Sequence, residues 1–278
     1  MIHPAELQFS LERRQGAERA DFVALLRSNC PELLRSALPQ GSVETAPPLT
    51  HGTTILAAKY DDGVLIAGDR QATAGYEIAE REIEKVMEMD HLSAVAIAGV
   101  AGPAAQMAKL LQTQIEFYEK VEGIPLSLEG KANYLTHLLT QNLPAAMQGF
   151  VVAPLFAGYD LKRRTGRIFK YDPAGGQYEE RAYCATGSGG KEAYIVLKKR
   201  CKANMTREET VHAAVEALLD ASDEDIATGG FDFVRGVYPT VKTVSAEGVQ
   251  DAPMEEIRSA AETLLEQWRA DYAARRQP

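Results

Sequence analysis

Apolar positions along this chain change period several times, and each change marks an element. Residues 53–60, "TTILAAKY", and 63–69, "GVLIAGD", are short β-branched and aliphatic runs joined by Asp61-Asp62-Gly63. Such runs closed by an Asp-Gly turn predict an antiparallel hairpin. "EKVMEMD" (84–90) and "LSAVAIAG" (92–99) predict a second one, after which 101–120 and 129–147 carry apolar residues at helical spacing. The order then repeats, with strands over 149–160, 166–172 and 178–187 and helices over 189–201 and 206–221. "TVKTVSA" (240–246) is a last strand, followed by an amphipathic tail helix carrying Met254, Ile257, Ala261, Leu264, Leu265, Trp268 and Tyr272. Grouped strands alternating with grouped helices predict an α+β fold in which two antiparallel sheets stack and helix pairs flank them, rather than a parallel βαβ sheet.

The block before this pattern is different. Phe9, Leu11, Phe22, Leu25, Leu26, Leu33 and Leu34 fall partly at helical spacing, interrupted by Gly16 and Pro31, which predicts short helices over 5–38. "PQGSVETAPP" (39–48) has the composition of a linker. Some fifty residues therefore precede the first strand and call for an explanation.

Composition narrows the function classes. A net charge of -9, spread along the chain, argues against a nucleic-acid surface. "MIHPAELQFSLERRQ" places acids and arginines where a secretory signal needs an apolar core. The most apolar window, 92–111, is broken by Gly99, Gly102, Pro103, Gln106 and Lys109, so no membrane span is expected. Cys30, Cys184 and Cys201 lack metal or disulfide spacing and read as reduced thiols of a cytoplasmic protein. His3, His51, His91, His137 and His212 show no metal-ligand spacing, and no metal or cofactor is expected. "GSGGKE" resembles a phosphate loop only superficially: Ala185 stands where its first glycine belongs, and Glu192 where a Ser or Thr would hold magnesium.

Cleavage between Gly52 and Thr53 would make a threonine the first residue. Its hydroxyl would then lie beside a free α-amine, whose ordinary pKa of about 7.7–8.0 suits a general base near neutrality. One residue would supply nucleophile and base together, a known form of activated nucleophile. The preceding segment would cap the amine until the site is built, and Gly52, lacking a side chain, leaves its carbonyl open to attack.

"GTT" alone does not single out that chemistry. Taken with "GDRQAT" after the second strand, "EKV" opening the third, "AIAGVAG" ending the fourth, and the later "ATGSGG" and "EDIATGGFD", the chain resembles proteasome β-subunits of the bacterial, actinobacterial type over nearly all of residues 53–245. The resemblance implies the N-terminal nucleophile hydrolase fold, a four-layer αββα sandwich. It also implies residues 1–52 as a propeptide removed by autolysis and 53–278 as the catalytic domain with a C-terminal helical extension at 251–278. Carried over by motif, Thr53 is the nucleophile, Asp69 and Lys85 its acid–lysine pair, and Gly99 the backbone oxyanion donor. Ser188, Asp225 and Thr228 match the cluster that orients the terminal amine, with threonine at 228 where the family often has serine. A substrate strand would lie beside Thr73 and Gly99, with Ala72, Ile83, Met87, Ile97, Ala101 and Ala105 lining an apolar specificity pocket. The same resemblance implies a threonine endopeptidase acting on unfolded polypeptide, heptameric β-rings stacked between α-subunit rings, and an ATP-dependent regulatory ring as partner.

Rival expectations are a related hydrolase acting on small amides, a simpler threonine protease without α-subunits, and a silent structural β-subunit. The joint presence of Thr53, Asp69, Lys85, Ser188 and Asp225 weighs against the last.

Overall fold

The computed structural model describes residues 52–74 and 77–275, all within the unit Pro48–Pro278. The helices expected over 5–38 and the linker at 39–48 lie outside the described residues. Strands β1 (Thr54–Tyr60) and β2 (Gly63–Gly68) form the first hairpin, and β5 (Val86–Asp90) and β6 (Ser93–Gly99) the second. Between them run two short strands that the pattern does not announce, β3 (Ala72–Ala74) and β4 (Glu77–Glu80), paired only with each other. Helices α1 (Ala101–Glu122) and α2 (Leu128–Ala146) follow, then β7 (Val152–Asp160), β8 (Thr165–Tyr171), β9 (Gln177–Glu180) and β10 (Tyr183–Gly187). The chain closes with α3 (Gly190–Arg200), α4 (Arg207–Glu224), β11 (Thr240–Ser245), β12 (Gly248–Asp251) and α5 (Met254–Arg275).

Two five-stranded antiparallel sheets result, ordered β10-β1-β2-β11-β12 and β5-β6-β7-β8-β9. The single strand expected over 178–187 is divided at Arg181-Ala182, where the chain leaves one sheet and enters the other. The C-terminal extension begins later than expected, because Asp251 still belongs to β12 and the helix starts at Met254.

Side-chain alternation assigns each strand face to a layer. Ile55, Ala57, Val64 and Ile66 of the first sheet meet Ala94, Ala96, Leu155, Ala157 and Ile168 of the second. On the opposite face, Leu56, Leu65 and Ala67 pack on Val196, Val215 and Leu218 of α3 and α4 and on Ile257, Ala261 and Leu264 of α5. Val95, Ile97, Phe156 and Phe169 pack on Met107, Leu111, Leu135 and Leu139 of α1 and α2. The central strands are covered on both faces, so their sequences read as nearly unbroken apolar runs. The result is the four-layer αββα sandwich. Among the described residues no helix is long and apolar enough to cross a membrane.

Local chemistry fixes the helix ends. Thr206 and Glu209 form a reciprocal capping box at the start of α4, and Ser127 accepts from Gly130 N–H at the start of α2. Arg207 makes paired bonds of 3.0 and 2.9 Å to Glu256, tying α5 to α4.

Antiparallel pairing also concentrates chain ends. Ile55 pairs with Gly68 and Thr54 with Gly187, so the end of β2 and the end of β10 both lie at the start of β1. In the other sheet, Val86 pairs with Ala96 and Ile97 N–H donates to the Lys85 carbonyl, which places the start of β5 beside the second half of β6. Phe156 is fully buried in the second sheet's helix-facing core, 6.1 Å ring to ring from Phe169. Phe156→Ala is expected to lower stability by about 3–5 kcal/mol in urea unfolding. An unchanged midpoint would contradict the packing described.

Candidate active site

Thr53 sits immediately before β1, Asp69 immediately after β2, Ser188 after β10 and Lys85 before β5. These are the chain ends that strand pairing brings together, so residues 16 to 135 positions apart share one site.

The Thr53 hydroxyl donates to the Gly52 carbonyl oxygen at 2.7 Å, and its backbone N–H donates to Ser188 Oγ at 3.1 Å. Gly52 N–H donates to Thr73 Oγ1 at 3.2 Å. The Gly52–Thr53 peptide is thus held on both sides, with a hydroxyl against the carbonyl of the bond that its own residue begins. A Cβ added at Gly52 would lie 1.7 Å from the Ala227 Cβ, so this approach requires glycine.

Beneath it lies a buried ion pair. Lys85 Nζ donates to Asp69 Oδ1 at 2.8 Å and to the Gln71 carbonyl at 2.5 Å, and neither side chain reaches solvent appreciably. Asp69 also accepts from three backbone amides: Thr54 N–H on Oδ1 at 2.8 Å, Gln71 N–H on Oδ2 at 3.0 Å and Gly229 N–H on Oδ2 at 2.8 Å. Burial pulls the Lys85 ammonium below its usual pKa, while the Asp69 carboxylate opposes that pull. The third Lys85 N–H has no partner among the described residues, and Lys85 lines the same small cavity as Thr53.

That cavity, of about 80 Å³, is bounded by Gly52, Thr53, Lys85 and Gly99 and walled by Ala72, Ile83, Met87, Ile97, Ala101 and Ala105. All six residues expected in the apolar pocket therefore converge on it, and Thr73 reaches it through its bond to Gly52. Ala104 and Glu84 also line it and were not anticipated. Ala104 lies one turn into α1, where helical spacing from Ala101 could have indicated it. Gly99 has φ +117, and a Cβ there would lie 2.2 Å from the Val151 carbonyl oxygen. Only glycine can turn the chain at the cavity edge in this way.

Asp225 and Thr228 stand slightly differently from the expectation. Thr228 Oγ1 lies 2.6 Å from Asp225 Oδ2 and 2.6 Å from Thr54 Oγ1, so the pair reaches Thr53 through its neighbour in sequence. Thr54, whose hydroxyl also accepts from Gly189 N–H at 2.9 Å, is a site residue that the sequence did not single out. Away from the site, burial pushes the Cys184 and Cys201 thiols up to about 12 and about 11 respectively, which keeps both protonated. Among the described residues no group of three or more His, Cys, Asp or Glu side chains is arranged to hold a metal.

The depressed Lys85 pKa has a measurable consequence. Between that lowered value and 10.5 the unfolded chain binds more protons than the folded one, so this lysine's contribution makes stability rise with pH through the window. Lys85→Met should abolish that increment. It should also cost about 3–5 kcal/mol near neutrality, because Asp69 is left buried without its cation. Urea unfolding of both proteins across alkaline pH measures the two effects, and parallel, unshifted curves would contradict them.

A family model described as "Proteasome subunit" matches residues 49–234. A "Proteasome subunit beta" of Acidimicrobium ferrooxidans is 50% identical over 240 residues, covering 85% of this chain and 87% of that protein. A "Proteasome subunit beta" of Streptomyces griseus subsp. griseus is 48% identical over 251 residues, covering 89% of this chain and 88% of its own length. With the sandwich, the buried acid–lysine pair and the cavity beside Thr53 already described, this chain belongs to the proteasome subunit family, on its β-subunit branch.

Proposed function

We propose that this chain is a catalytic β-subunit made as a zymogen, which cuts its own Gly52–Thr53 bond and thereafter hydrolyses peptides with Thr53. Family membership supports the broader statement, that the chain is a component of a proteolytic core assembled from several subunits. The observation that carries the finer one is the Thr53 hydroxyl, bonded at 2.7 Å to the carbonyl of the bond to be cut.

In self-cleavage the Thr53 oxygen adds to the Gly52 carbonyl carbon, and the C–N bond breaks as nitrogen takes up a proton. The resulting ester between Gly52 and Thr53 Oγ1 is hydrolysed by water, which releases residues 1–52 with a carboxylate at Gly52. The freed amine is then the general base. It takes the hydroxyl proton as oxygen attacks a substrate carbonyl, then returns that proton to the departing amine; water resolves the acyl-enzyme. Lys85, held cationic by Asp69, favours the uncharged amine by like-charge repulsion. The Gly99 N–H is the proposed donor to the developing oxyanion.

The pocket walls are alanine, isoleucine and methionine side chains, which favour a large apolar residue on the acyl side of the cut bond. Substrate would be unfolded polypeptide, bound as an added strand along Thr73 and Gly99, a mode that reads backbone more than sequence. The proposed assembly is a heptameric β-ring stacked on a second and capped by α-rings, fed by an ATP-dependent ring.

Particles assembled from this chain and its α-subunits should cleave fluorogenic peptides after Leu, Phe or Tyr about tenfold or more faster than after Arg or Asp, as kcat/KM. Equal or reversed preference would overturn the pocket assignment. Thr53→Ala should lower peptide hydrolysis by at least about 10³-fold in the same assembled particles. Retained turnover would remove Thr53 from the chemistry.

A further inference from the structure

Thr54 carries a hydroxyl at zero solvent exposure, one residue from the proposed nucleophile. Its backbone and side chain make three contacts that no apolar residue of the same shape could reproduce in full. The backbone N–H donates to Asp69 Oδ1 at 2.8 Å, while the hydroxyl accepts from Gly189 N–H at 2.9 Å and lies 2.6 Å from Thr228 Oγ1. Thr228 in turn donates to Asp225 Oδ2 at 2.6 Å.

Donor and acceptor capacities give this chain of bonds one direction. An ionised carboxylate only accepts, so the Thr228 hydrogen is committed to Asp225. Thr228 must then accept from Thr54, whose hydrogen is committed in its turn, and Thr54 accepts from the Gly189 amide. The order is Gly189 N–H to Thr54 O–H to Thr228 O–H to Asp225, each bond polarising the next. Gly189 follows Ser188 directly, so the same hydroxyl anchors the turn that presents Ser188 Oγ to Thr53 N. The packing is close as well: a Cβ at Gly189 would lie 2.7 Å from Thr54 Oγ1 and 2.8 Å from Thr228 Oγ1.

We propose that Thr54 is a positioning residue, whose hydroxyl ties the Asp225–Thr228 pair to the turn that presents Ser188 to Thr53. The consequence for the chemistry is specific. A terminal amine serving as base needs its lone pair free for the Thr53 hydroxyl proton, and its two N–H groups held by acceptors. Ser188 Oγ accepts the Thr53 N–H at 3.1 Å, and the Gly189 amide bonded to the Thr54 hydroxyl holds that acceptor in place. This inference rests on the reading of Thr53 as an N-terminal nucleophile.

The test compares Thr54→Val, which keeps the shape and removes the hydroxyl, with Thr54→Ser, which keeps the hydroxyl. Both are made in the full chain and assembled with α-subunits, and both are read by self-cleavage rate from intact mass and by kcat, KM and the pH profile of peptide hydrolysis. Thr54→Val should slow self-cleavage and lower kcat by about tenfold or more, with KM within about twofold of wild type. The acid limb of its pH profile should move to lower pH, because a Ser188 hydroxyl no longer held against the amine stabilises its charged form less. Thr54→Ser should return kcat to within about threefold and restore the limb. A Thr54→Val enzyme with wild-type self-cleavage, kcat and pH profile would overturn the proposal, and so would a Thr54→Ser enzyme as impaired as Thr54→Val. A Thr54→Val particle that assembles but is not cleaved, beside a Thr54→Ser particle that is, would support it. Activity surviving Thr53→Ala is the distinct result that would instead remove the underlying nucleophile reading.

Discussion

The Asp69 carboxylate is the interaction around which the site is built. It lies almost wholly out of solvent and accepts from one ammonium and three backbone amides, which belong to the start of β1, the turn after β2, the residue before β5 and the 225–230 loop. A carboxylate buried to this degree without partners would be strongly unfavourable, so those four segments must meet wherever the charge is kept. Because Thr54 N–H is one of the donors, the position of Thr53 is set by the same charge. The lysine is held as firmly, between the carboxylate and the Gln71 carbonyl. Electrostatics and backbone geometry are here one constraint.

Sheet architecture makes that convergence possible. Two antiparallel sheets, each stacked on the other and on helices, bring the open ends of β1, β2, β10, β5 and β6 to the same edge of the sandwich. The scaffold is rigid there because the strands behind it are buried on both faces, with Ile55, Leu56, Leu65 and Ile66 fully buried. A catalytic group on such an end has little freedom to drift, which pre-organisation of a nucleophile demands.

Much of this was legible in the chain. The hairpins and long helices were readable because a strand covered on both faces is a short unbroken apolar run, and a long helix repeats its pattern over several turns. Thr53, Asp69 and Lys85 were readable through the family resemblance, whose motifs stand at the ends of such runs. The structure places them side by side, with the six apolar pocket residues around the same cavity. What escaped has physical reasons. Strands β3 and β4 are three and four residues long, and β4 is exposed throughout, so no period develops. The contributions of Gln71 and Gly229 are backbone amides, which any residue type can supply. Thr54 looked like an ordinary β-branched strand start, since the partners that distinguish it, Gly189 and Thr228, lie 135 and 174 residues away. The break at Arg181-Ala182 carries no turn signature, because the chain passes between sheets there through a bend that uses neither glycine nor proline.

The central claim is that the Thr53 hydroxyl cuts the bond against which it rests. Intact mass spectrometry of this chain after assembly with its α-subunits, beside Lys85→Ala treated identically, tests it directly. The account predicts a wild-type mass corresponding to a chain that begins at Thr53, with the Lys85→Ala chain still carrying residues 1–52. A full-length wild-type chain in assembled particles, or equal cleavage of the Lys85→Ala chain, would contradict it.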